Sequence, residues 1–281
     1  MRVPKPAWHL IYLYKKGAEL LFENRRRLRS FHCRDLRPGS VGFVALARPS
    51  SRVVMTASIV SDAEEWVKSE LAGQDGSHDW WHIARVRATA LSLAHEENLP
   101  TSSMRTVELA ALLHDVRDWK YSGDANAGAE AVRSWLTDHG HPTDDTATVV
   151  EIVSKMGFKE ELSASTSTSP EVLSPEFKVV QDADRLDAIG ALGIARTFCY
   201  GGSRGDPMHV PGVSPRVGLT KAEYMDPGGE HVNTVVNHFH EKLLRLRDMM
   251  KSESGRRRAE GRHAFMLEYL EQFHGEWDGD R

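Results

Sequence analysis

Cysteine is scarce in this chain. Cys33 and Cys199 are its two, and neither has a CxxC partner, which excludes a zinc knuckle, a thiol redox motif and a disulfide framework. No run approaches the roughly 18–20 apolar residues a membrane span needs. The longest N-terminal candidate, Ala7 to Tyr14, is short and already contains His9. Strand-like alternation is missing, and so is any internal repeat. Acidic residues are nearly missing from residues 1–54, which carry three Asp and Glu against 12 Lys and Arg. The remaining residues hold 37 acidic and 24 basic side chains. An acidic body of this kind argues against general nucleic-acid binding, which needs a basic stripe.

What is present divides the chain in two, residues 1–54 and residues 55–281. The first part carries the basic clusters Lys15-Lys16, Arg25-Arg26-Arg27 and Arg29. It reads as an organelle transit peptide, a disordered extension, or sequence upstream of a start at Met55. The expected location is intracellular: cytoplasmic, or plastid or mitochondrial if residues 1–54 are a transit peptide. Hydrophobic residues make up 40% of the chain, enough for a sizeable core.

The body reads as a series of helices, so the expected fold is all-α, a bundle with a site held between facing helices. Ser61-Asp62-Ala63-Glu64 has the form of a capping box, predicting a helix from Ser61 to about Leu71. A second helix spans about 78–97, with Ile83, Val86, Ala90 and Leu93 at helical spacing, and stops before Pro100. Ser102 or Ser103 is expected to cap a third, which runs to His114. Further helices are expected over 123–139, 143–156, 177–200, 231–251 and 256–275. Residues 161–170 read as a mobile Ser/Thr-rich loop. The Gly/Pro-rich stretch 201–229, with Arg204, His209 and Lys221, reads either as a substrate lid or as a plain surface loop. Cys199 reads as a packing residue.

Three fragments carry candidate chemistry. In the first, His78, His82 and Arg85 lie on one helix face. In the second, His114-Asp115 follows five consecutive apolar residues, and ionisable groups there must leave the core or find a charged partner. Asp118 lies one turn further on, with Arg117 and Lys120 adding positive charge. In the third, Asp184 and Asp187 share a face of a largely apolar helix, and Asp182 points about 200° away. Each fragment has a plain structural reading: a capped helix with a satisfied histidine, an ordinary helix C-terminus, or a salt bridge from Asp184 to Arg185 or Arg196. Two imidazoles and two carboxylates also make a nitrogen-oxygen donor set suited to Mn, Fe, Zn, Mg or Co.

Taken in order, His82, His114-Asp115 and Asp184 resemble the HD superfamily of metal-dependent phosphohydrolases. His78 to Val86, Leu109 to Asp115 and Asp182 to Ala191 resemble, more narrowly, small stand-alone YedJ-type HD hydrolases. The resemblance runs from about Ser61 to Trp277 and leaves out residues 1–54. It implies that His82, His114, Asp115 and Asp184 hold one divalent ion, manganese first, with Co, Mg, Fe, Zn or Ni as alternatives. It also implies that Asp118 orients or deprotonates a water, while Arg85 and Lys120 bind phosphate. His78, Asp79, Asp187 and Arg185 become supporting or substrate-contacting groups. The expected reaction is cleavage of a nucleoside or deoxynucleoside triphosphate to monophosphate and pyrophosphate. A nucleoside monophosphate phosphatase, an alarmone hydrolase and a non-catalytic nucleotide-binding HD module are the alternatives. No nucleic-acid or membrane partner is expected, and the C-terminal helices offer a candidate homodimer face.

Overall fold

The computed structural model describes residues 58–73, 76–116, 127–158, 161, 172–219 and 232–281. The basic N-terminal region and residues 117–126, with Arg117, Asp118 and Lys120, lie outside them, as does Lys221. Most of the expected 161–170 loop is also outside. The described residues contain helices and no strand, so the all-α expectation holds.

Helix α1 is Ile59–Glu70, α2 Trp80–Glu96 and α3 Thr101–Leu113. Next come α4 Ala127–Asp138, α5 Thr143–Lys155, α6 Pro175–Asp187 and α7 Gly190–Arg204. The chain ends with α8 Val235–Glu241, a 3-10 helix Leu243–Met249 and α9 Glu253–Asp278. At the centre, α3 packs against α1, α2, α5 and α6, and α2 packs against α6. Leu109 to Leu113 are all fully buried, as befits a helix with neighbours on every side.

Several boundaries differ from the sequence expectations. Helix α1 begins before the capping box, because Ser58 accepts from the Ser61 N–H and Val60 joins the buried stripe with Ala63 and Val67. Helix α3 has Pro100 at its N-cap with no side-chain cap bond, and Ser103 instead donates to Glu176. Helix α9 is longer than expected, capped by Ser252, whose Oγ accepts from the Gly255 N–H at 3.0 Å. The stretch 231–251 is not one helix: Lys242, with φ −135° and ψ −58°, breaks it into α8 and the 3-10 helix. Residues 201–204 belong to α7, which ends at Gly205 with φ +75°.

The expected single helix 177–200 is broken into α6 and α7. Ile189 is extended and Gly190 is left-handed at φ +74°, a region that disfavours side chains. A Cβ on Gly190 would stand 2.9 Å from Arg262 Cβ, so the break also lets α9 approach. Arg262 donates to the Leu186 carbonyl, which also accepts from the Ile189 N–H at 3.3 Å. Helix α7 consequently lies at the surface. Cys199 is exposed and free rather than packed, and Leu192 is also exposed. Its buried stripe is Gly190, Gly193, Ile194 and Gly201.

Candidate metal centre

Three helix ends supply the site. Asp79 caps α2, its carboxylate accepting from the His82 N–H at 3.1 Å, which fixes the turn carrying the imidazole. His114 and Asp115 leave the end of α3, directly after its fully buried run. Asp184 and Asp187 lie in the last turn of α6, whose start is set by Pro175 and the Ser174 cap.

These ends converge. His82 Nε2 lies 3.2 Å from His114 Nε2 and 3.3 Å from Asp115 Oδ2. His114 Nε2 is 3.5 Å from Asp115 Oδ2. Asp184 Oδ1 closes the group at 3.5 Å from His82 Nε2 and 3.8 Å from His114 Nε2. Both imidazoles are buried, whereas the Asp184 side chain is 34% exposed, so the group opens on the Asp184 side.

The outer bonds of the two rings decide what faces inward. His82 Nδ1 stands 2.8 Å from Asp187 Oδ2, and His114 Nδ1 stands 2.9 Å from the Ala111 carbonyl. A carboxylate and a carbonyl can only accept, so each Nδ1 carries the proton and each neutral ring presents an Nε2 lone pair. Two lone pairs at 3.2 Å, beside two carboxylates, repel unless a cation stands between them. Donors held about 2.1 Å from one ion at tetrahedral or octahedral angles lie about 3.0–3.4 Å apart. The observed separations are close to that, and His82, His114 and Asp115 can hold a metal ion.

Without an ion, the electrostatics favour a proton in its place. Burial pushes the Asp115 carboxyl up, but His114 and His82 pull it well below the usual carboxylate range. Burial pushes His82 down, and its bonds to Asp115 and Asp187 outweigh this and raise it. An ion entering the site displaces such a proton.

Asp187 is the hub behind the donors. It accepts from Arg85 Nε at 2.7 Å, from Arg85 Nη2 at 2.9 Å and from Arg196 Nη1 at 3.0 Å, besides His82. Burial raises its carboxyl, but these bonds hold it far below its ordinary value. The arrangement is the carboxylate–histidine pairing that fixes a ligating imidazole.

Of the sequence candidates, His82, His114, Asp115, Asp184, Asp187, Arg85 and Asp79 meet here. His78 stands beside them, with its ring centroid 6.4 Å from that of His82 and its Nδ1 2.6 Å from Ser77 Oγ. Arg185 does not join them. It turns to the far side of α6, donating to the Met249 carbonyl at 2.6 Å and to Glu161. Arg196 pairs with Asp187 rather than Asp184, and its Nε donates to the Ser77 carbonyl at 2.8 Å. Its place was hidden because the break at Ile189 spoils helical counting from Asp187. His209 packs against Trp277 and His274 on α9, and Arg204 is exposed at the end of α7. A cavity of about 380 Å³ adjoins the centre, and His78 and Arg196 form part of its wall.

Residues 80–189 match the HD domain family, and the chain belongs to the HD superfamily of phosphohydrolases. Among its relatives, YpgQ of Bacillus subtilis is 35% identical over 207 residues, covering 74% of this chain and 88% of YpgQ. A crystal structure of YpgQ in complex with ADP matches 79% of this chain and all of that one, with TM-score 0.58. An HD-superfamily hydrolase from Bacillus thuringiensis is 36% identical, covering 78% of this chain and 97% of its own, with TM-score 0.58. A Lactobacillus plantarum structure reaches TM-score 0.67 at 32% identity, covering 80% of this chain and 99% of its own.

Proposed function

We propose that this protein is a divalent-metal-dependent hydrolase that cleaves nucleoside or deoxynucleoside triphosphates to monophosphate and pyrophosphate. The observation that carries the reading is the pair of imidazole lone pairs facing each other at 3.2 Å, flanked by Asp115 and Asp184. ADP in the YpgQ structure supports a nucleotide substrate. The choice of bond rests on the resemblance to small stand-alone HD hydrolases.

His82, His114, Asp115 and Asp184 would hold the ion, with manganese first among the candidates. When bound, the ion supplies Lewis acidity toward phosphate oxygens and activates water. Arg85 is fixed on Asp187 through Nε and Nη2, which leaves Nη1 without a bond among the described residues. With 32% of its side chain exposed, it is assigned to donate to a phosphate oxygen. Asp118 is assigned to orient the water or take its proton, and Lys120 to contact phosphate. Asp187, Asp79 and His78 orient the donors from behind.

The test is phosphate and pyrophosphate release from a nucleotide panel, with Mn, Co, Mg and Zn each added to metal-stripped protein. Pyrophosphate from triphosphates is the expected product. Orthophosphate from monophosphates would make the protein a nucleotidase. Pyrophosphate from a guanosine alarmone alone would make it an alarmone hydrolase. Silence with every metal would leave a binding module. Asp118→Ala should slow turnover about a hundredfold while keeping the metal; metal loss as complete as in Asp115→Ala would make Asp118 a ligand instead.

A further inference from the structure

The cavity beside the metal centre has walls of mixed character. One wall is shared with the centre: Arg196 lines the cavity and also holds Asp187, which holds His82. The lining also brings Asp206 and Arg216, from the segment after α7, together with Glu241 of α8.

Three groups in this lining lack partners among the described residues. Arg196 uses Nε and Nη1 but leaves Nη2 unbonded. Arg216 Nε is buried without a hydrogen bond, its nearest carboxylate oxygen on Glu241 being 3.7 Å away. The Asp206 carboxylate accepts nothing, since the one bond of that residue is from its backbone N–H to the Gly201 carbonyl. Of the three, Arg216 Nε is buried, and a buried polar group without a partner is rare in folded proteins and costly to keep. A ligand that satisfies all three groups would both accept from guanidinium groups and donate to a carboxylate.

A polyphosphate tail fails that condition, because it only accepts and is repelled by Asp206. A nucleoside meets it: base carbonyls and ring nitrogens accept, while base N–H groups and sugar hydroxyls donate. The Tyr200 ring, Val235 and Leu243 add flat and apolar surface to the same lining. At about 380 Å³ the volume is within the range of small-molecule sites. We infer that this cavity holds the base and sugar of the substrate, with Asp206 and Arg216 reading its polar edge and Arg196 marking the end nearest the metal centre. The inference rests on the nucleotide reading above and names the half of the substrate that the cavity takes.

The two products of the proposed reaction separate the halves. Binding of the four common ribonucleoside monophosphates and of inorganic pyrophosphate is measured by calorimetry on full-length, manganese-loaded protein. The variants are Asp206→Ala, Arg216→Gln and Thr197→Phe, the last filling the cavity from α7. Each should weaken the tightest-binding monophosphate about tenfold or more and leave pyrophosphate within about twofold. Weakened pyrophosphate with intact monophosphate would overturn the assignment, as would no change in either, or no monophosphate binding to the unaltered protein. Variant-sensitive monophosphate binding in a protein that hydrolyses no nucleotide would uphold the cavity and sink the reaction.

Discussion

Helix α6 presents two buried polar clusters on opposite faces, built from neighbouring residues of one short sequence, Asp182-Ala183-Asp184-Arg185-Leu186-Asp187. On one face Asp182 accepts from the Lys251 and Ser252 N–H groups and from Ser252 Oγ, the last two at 2.7 and 2.6 Å. Gly255 packs so close that a Cβ there would meet Asp182 Oδ2 at 2.3 Å. Arg185 joins this side, tying α6 to Met249 and Glu161. Every acceptor has its donor, so the cluster is a closed fastening for the start of α9. On the other face, Asp184 stands 3.5 and 3.8 Å from the His82 and His114 ring nitrogens, which also flank Asp115. There acceptors face acceptors, and the cluster is complete only with a cation. Chemical composition does not separate the two faces; the balance of donors and acceptors does.

The carboxyls titrate accordingly. Burial raises Asp182 above its ordinary value, against the pull of its bonds from Ser252 and Lys251. Asp187 is buried too, yet His82 and two guanidinium groups carry it downward. Dipoles hold the first and full positive charges hold the second.

The largest effect that would sharpen this contrast is expected from Asp115→Ala. It should strip the metal and lower turnover about a thousandfold or more. Melting measured in chelator should fall less than in Asp182→Ala, because His82 keeps its bond to Asp187 and no backbone donor is left buried. A large loss of metal-free stability would show that the cluster closes without an ion, and would erase the contrast.

Asp182→Ala should do the reverse. It leaves two backbone N–H groups and a hydroxyl buried without an acceptor, which costs about 3 kcal/mol of stability. Turnover per folded molecule and metal content should stay unchanged; chemical denaturation beside a metal assay reads both.

Asp187→Asn lies between them, since Asp187 is buried like Asp182 but serves the metal side. Losing its charge should weaken metal affinity about 10–100-fold by releasing the His82 tautomer and both arginines. Metal titration against a fluorescent competitor would measure it, and unchanged affinity would demote Asp187 to a fold residue.

The smallest effect is expected at Glu161. Burial raises its carboxyl, but Arg185 and Lys251 bring it below its ordinary value near 4.5. A depressed acid stabilises the fold fully above its unfolded value and loses that contribution as pH falls through the folded one. Glu161→Gln should therefore cost about 1 kcal/mol at pH 7 and less at pH 3. Denaturation at the two pH values checks it; an equal cost at both would mean packing rather than charge.

The candidate donors were legible in the sequence through the resemblance to the HD superfamily, and local patterns agree with it. Helical periodicity placed His82 on its helix, and an apolar run ending in His114-Asp115 demanded a charged partner. The three-residue spacing put Asp184 and Asp187 together, and the 200° offset sent Asp182 to the other face. Arg196 and the true role of Arg185 were not legible. Arg196 follows a break that depends on Gly190 making room for Arg262, which is a contact across 72 residues. Arg185 finds Glu161 and Met249 through the path of the chain, which no local spacing encodes.

By itself, then, the sequence determined the helical class, which follows from local periodicity, while its resemblance to the HD superfamily singled out His82, His114, Asp115 and Asp184 as candidate donors. Tertiary structure decided which buried carboxylate is already satisfied and which still faces other acceptors. That distinction depends on donors brought from distant segments, Lys251 and Ser252 on one face and Arg85 and Arg196 on the other. The cavity, too, exists only where Asp206, Arg216 and α8 meet the wall that Arg196 shares with the metal centre.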